Sequence, residues 1–87
     1  MTKEEKIRLW RKMLKSVRGK DFGKTKDADG LCIILDHEDY PYQFQNYFHR
    51  VLPKTKRGIF RNYCWEPGAK APRIKWINEQ IKILEKK

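Results

Sequence analysis

The sequence predicts a small all-α protein, a compact single domain of about four helices spanning 2–18, 29–36, 40–52 and 72–86. Three observations carry that prediction. Apolar residues recur at three- and four-residue steps in three separate stretches, the spacing that puts them on one helical face. Helix start and stop signals bracket those stretches. The one run rich in β-branched residues, Leu31-Cys32-Ile33-Ile34-Leu35, has no second strong strand to pair with, so helix is favoured there, with a buried strand as the alternative. No internal repeat and no low-complexity segment breaks the 87 residues, and one domain covers 1–87.

The first helix opens with Thr2-Lys3-Glu4-Glu5, a capping-box pattern in which Thr2 and Glu5 satisfy each other's free backbone donors. Ile7, Trp10, Leu14 and Val17 form its buried stripe, broadened by Met13, and Lys and Arg fill the other faces. Trp10 is read as core. Gly19 suits a left-handed cap. Residues 19–30 are a glycine-rich polar loop. Gly23-Lys24-Thr25 lacks the spacing of a phosphate-cradling P-loop, since Gly19 stands one position too close. Lys20, Lys24 and Lys26 remain as anion contacts. Asp27-Ala28-Asp29-Gly30 begins like a calcium loop but lacks the later carboxylates, and Asp29 reads as the N-cap of the second helix.

His37-Glu38-Asp39 is the most catalytic-looking tripeptide. With His49, Cys32 and Cys64 it matches none of the common zinc spacings, and turn and cap roles are the better reading. Asp39 is placed as N-cap of the third helix, with Pro41 in its first turn. Phe44, Tyr47, Phe48 and Val51 give that helix an aromatic face, Tyr42 and Tyr47 carrying hydroxyls toward a pocket rim. Leu52-Pro53 ends it. Residues 53–71 form a second loop, which Ile59 and Phe60 pin to the core. Pro72 then opens the fourth helix, whose stripe is Ile74, Ile77, Ile81 and Leu84.

The net charge of +10 is unevenly spread. Residues 1–26 carry a net of +7, residues 27–52 a net of −4, and residues 53–87 again +7. Two basic ends around an acidic middle attract polyanions or nucleotide phosphates and favour self-association. No run of about 18 apolar residues provides a membrane span, and the N-terminus has no apolar signal core, so a cytoplasmic protein with reduced cysteines is expected.

Tyr63-Cys64-Trp65-Glu66-Pro67-Gly68, followed by Pro72-Arg73-Ile74-Lys75-Trp76-Ile77, is similar to the C-terminal ends of small bacteriophage proteins. Those ends run aromatic-Trp-x-Pro-Gly, then Pro-Arg and an apolar helix, and Gly30-Leu31-Cys32 matches their earlier Gly-Leu-Cys segment. Cys64 departs from the pattern, which commonly has an aromatic residue there. The resemblance covers about half of the chain. It implies a phage accessory protein, of a kind that often interferes with host defence, acting in the host cell cytoplasm.

No convergent acid, base, nucleophile or metal set emerges, so the residues point to binding rather than to an enzyme, with no cofactor. The expected ligand is an anionic, nucleotide-like small molecule such as a host immune signalling nucleotide, held by sequestration. Its site is expected at Arg57, Arg61, Tyr63, Trp65, Lys70 and Arg73. There rings stack the base, guanidinium groups neutralise phosphate, and the helix start at Arg73 offers backbone donors. A homo-oligomer would let two chains close over one ligand. Structural roles compete for two of these residues: Trp65 as a cover over one end of the bundle, Arg73 as the partner of Glu66 or a middle-segment acid. Two other readings stand beside this one. The first is general DNA or RNA binding through helix 1 and the basic loops. The second is a protein–protein inhibitor of a host defence enzyme.

Overall fold

The first helix, α1, runs Lys3–Gly19, and Thr2 caps it: the Glu5 backbone N–H donates to the Thr2 hydroxyl at 3.2 Å. The computed structural model describes residues 1–20, 29–52, 54, 55, 58, 59 and 70–86. Over these the order is α1, α2 (Asp29–His37), α3 (Tyr42–Val51), β1 (Lys54–Thr55), β2 (Gly58–Ile59) and α4 (Ala71–Glu85). The protein is all-α in character, with four helices among the described residues, as the sequence predicts. The two strands add a minimal antiparallel ladder, Lys54 opposite Ile59 and Thr55 opposite Gly58, inside the stretch read as loop. Leu31–Leu35 is helical. The Cα radius of gyration is 12.4 Å, close to the roughly 12 Å expected of a compact chain this long.

Helix ends depart from the sequence reading in three places, the first being Asp29, which is the first helical residue of α2 and not its N-cap. Gly19 is the last helical residue rather than a left-handed cap, and the chain leaves through Lys20 in an extended conformation, φ −91° and ψ 145°. The Lys20 N–H closes the turn on the Val17 carbonyl at 3.2 Å, so no positive φ is required. At α3 the N-cap is Pro41, not Asp39. The Pro41 carbonyl receives the N–H groups of Phe44 and Gln45, while the Asp39 carbonyl accepts from Lys12 Nζ. A proline at that position already has a φ compatible with helix entry, −58°. A side-chain cap two residues upstream is therefore not needed.

The core is an aromatic layer around Trp10, which is fully buried. Its ring centroid lies 5.3 Å from Phe44, 5.8 Å from Phe48 and 5.4 Å from Trp76, the first and last edge-to-face, the arrangement preferred by ring quadrupoles. Leu9, Met13, Val17, Leu31, Ile34, Leu35, Ile77, Ile81 and Leu84 fill around it, with Ile7, Leu14, Cys32, Val51 and Ile74 half-buried at its margin. On α4 the buried stripe is Arg73, Trp76, Ile77, Ile81 and Leu84. It keeps the expected Ile77, Ile81 and Leu84 and adds Arg73 and Trp76, while Ile74 is only half-buried at the margin. Backbone-to-backbone approach is greatest between α1 and α4 and present between α1 and α2. Helix α3 meets α1 and α4 through ring side chains instead.

Candidate ligand-binding groove

Of the six residues expected to form a ligand site, Arg57, Arg61, Tyr63 and Trp65 lie outside the described residues, as do Lys24, Lys26, Phe60 and Cys64. The other two, Lys70 and Arg73, occupy the first turn of α4, Lys70 as its N-cap residue. Lys70 Nζ donates to the Arg18 carbonyl at 2.9 Å. It thereby supplies a cation to the C-terminal end of α1, where carbonyls are unsatisfied and the dipole is negative. Arg73 is fully buried, inside the core stripe rather than on an accessible rim.

His37, Glu38 and Asp39 do not converge. Glu38 Oε1 accepts from Ser16 Oγ at 2.7 Å and from the Tyr40 hydroxyl at 3.3 Å, while His37 and Asp39 are exposed. Burial, and then the Glu38 carboxylate, push the Tyr40 phenol above its ordinary range. Glu38 thus joins the end of α2 to α1, a structural role. No group of three His, Cys, Asp or Glu side chains among the described residues could hold a metal ion.

A groove of about 610 Å³ opens where α1 and α3 part, lined by Met1, Lys6, Gln43, Asn46, Tyr47 and Arg50. The volume falls within the usual range for small-ligand sites. Four of these residues sit on α3 at steps of three and four, beside the buried pair Phe44 and Phe48. Tyr47 is held in place: its hydroxyl accepts the Trp10 indole N–H at 3.1 Å, and its ring stands 5.9 Å from Trp10 at 70°. Lys6 Nζ lies 4.6 Å over that ring, an ammonium on a π face. Among the described residues, two side-chain cations and two amides therefore share the groove, and no lining residue is acidic. The sequence reading brought Tyr47 to a pocket rim but missed Gln43, Asn46, Arg50 and Lys6. The signal available was the polar row one step from the aromatic stripe of α3; its meeting with Lys6 is tertiary.

A second basic feature runs along α1. Arg8, Arg11, Lys12, Lys15 and Arg18 are all exposed at helical steps on one face. Arg11 faces Glu85 at 3.8 Å, an exposed pair of small energetic weight. Lys12 Nζ lies 4.5 Å over the Tyr40 ring.

Comparison with protein-family models, curated proteins and solved structures finds no match to this chain.

Proposed function

We propose that the protein is a non-enzymatic binding protein for an anionic, nucleotide-like ligand, which it holds without chemical change. One observation supports this reading: three lysines are held in place by neutral partners. Lys6 rests on a tyrosine ring, Lys12 on a ring and a carbonyl, and Lys70 on a carbonyl. Rings and carbonyls orient an ammonium without cancelling its charge, so the field of a +10 chain stays available to a polyanion. The resemblance to phage accessory proteins suggests a setting, the sequestration of a host signalling nucleotide in the host cytoplasm. Closure of two copies over one ligand belongs to the same proposal.

A thermal-shift screen tests it, with mononucleotides, cyclic di- and trinucleotides, cyclic ADP-ribose isomers and a DNA duplex at two salt concentrations. A ligand present at 100 times its dissociation constant stabilises by about 2.7 kcal/mol, which moves the midpoint by several degrees in a domain of this size. The expected outcome is a shift with a nucleotide that survives the higher salt. Silence with every nucleotide would overturn the reading.

The exposed row on α1 favours a second reading, non-specific nucleic-acid binding along that helix. Its mark would be a shift with the duplex alone that vanishes at the higher salt, because counterion release dominates such binding.

A further inference from the structure

We infer that the α1–α3 groove is a sugar-phosphate site, in which Lys6 and Arg50 hold the phosphate of a nucleotide and Gln43 and Asn46 bind its ribose hydroxyls. This rests on the nucleotide-binding reading above and builds its site from other residues than Arg57, Arg61, Tyr63, Trp65, Lys70 and Arg73. The chemistry follows from the lining. Arg50 offers a planar fork for two phosphate oxygens, and Lys6 offers a point charge already oriented by Tyr47. The positive dipole end of α1 and the negative end of α3 oppose one another here, so the two side-chain cations set the sign. Gln43 and Asn46 are exposed on the same face of α3. Each carries both donors and an acceptor, a match for vicinal hydroxyls, which donate and accept alike.

Among the described residues the groove offers no platform for a base. Lys6 covers the Tyr47 ring, and Trp10 and Phe44 pack against it at 5.9 and 5.8 Å. Its π surface is therefore spent within the protein. Recognition by this groove alone reads the sugar and phosphate and is indifferent to the base.

The test is calorimetric titration of the full chain with AMP, UMP, ribose 5-phosphate and adenosine, beside a short single-stranded oligonucleotide. Two double variants accompany the wild type. K6Q/R50Q removes the groove cations, and K15Q/R18Q removes equal charge from the exposed row of α1. AMP and UMP are expected to bind alike, ribose 5-phosphate to compete with both, and adenosine to be silent. K6Q/R50Q should weaken binding by about tenfold or more, the loss of a charge-assisted hydrogen bond. K15Q/R18Q should change it by less than about twofold, through the screened long-range field. Equal losses in the two variants would overturn the inference, as would adenosine binding or a strong preference for one base. Binding to the oligonucleotide alone would do the same. Nucleotide binding untouched by K6Q/R50Q would sink the groove and leave the proposed function standing at another site. Failure of the wild type to bind any nucleotide would sink both.

Discussion

Tyr40 shows how much one side chain can commit. It is buried, stacks on Phe44 with ring centroids 5.5 Å apart, and gives its hydroxyl hydrogen to Glu38. Because its phenol is raised, the folded state keeps that proton to higher pH than the unfolded chain does. The unfolded state therefore binds fewer protons above its own value of about 10, and stability falls as pH rises through that region. Tyr40→Phe keeps the ring and removes the titration. It should cost about 1 kcal/mol or less at neutral pH, since Glu38 retains Ser16 as donor, and should move the alkaline unfolding midpoint upward. Circular dichroism followed from pH 8 to 12 decides the matter, an unchanged alkaline midpoint counting against the assignment. Nothing in the tripeptide His37-Glu38-Asp39 announced this role. Sequence shows a carboxylate near a tyrosine, and only the packing of α2 on α1 brings Ser16 to complete the set.

At the scale of elements, the joint between α1 and α4 depends on Lys70, whose ammonium caps the Arg18 carbonyl from the start of another helix. Lys70→Met preserves the apolar stem and deletes the cation. A loss of about 0.5–1 kcal/mol is expected, a fall of roughly 2–8 °C in melting temperature for a domain of this size. Nucleotide binding should be unchanged if the groove is the site. A variant that melts like the wild type but loses ligand would return Lys70 to the binding surface. The helices themselves were legible in the sequence because enough local signals agreed with the tertiary outcome, Thr2 before α1, Leu52 at the exit of α3 and Pro72 in the first turn of α4, even though Gly19 and Asp39 do not cap as expected. The stripe of α4 was legible in part. Periodicity places Ile77, Ile81 and Leu84 on the buried face, and they are there. Trp76 and Arg73 share that face, Trp76 because its ring packs edge-on against Trp10 and Phe48, contacts that only the tertiary arrangement supplies.

For the whole molecule, Trp10 is the meeting point of three helices, with rings from α3 and α4 around it. A chain of this length has a total stability of about 4–13 kcal/mol, and truncating a buried tryptophan costs about 3–5 kcal/mol. Trp10→Ala should therefore leave a weakly cooperative or unfolded protein at 37 °C, read as a collapsed urea midpoint. A midpoint within experimental error of the wild type would show that the ring layer is not what holds α3. The candidate site was less legible than the fold for a plain reason. A basic-aromatic stretch is continuous in sequence and draws the eye, whereas the groove joins Lys6 at the start of α1 to Arg50 at the end of α3. Only the helix packing makes them neighbours.

Helix α3 presents two different faces one residue apart. Phe44 and Phe48 are enclosed among rings from three directions, while Gln43, Asn46 and Arg50 face the groove and are exposed. If the groove is the site, substitutions under selection for a new ligand should collect at 43, 46 and 50, where change leaves the core intact. Positions 44 and 48 should be spared, and Tyr47, which belongs to both faces, should change last.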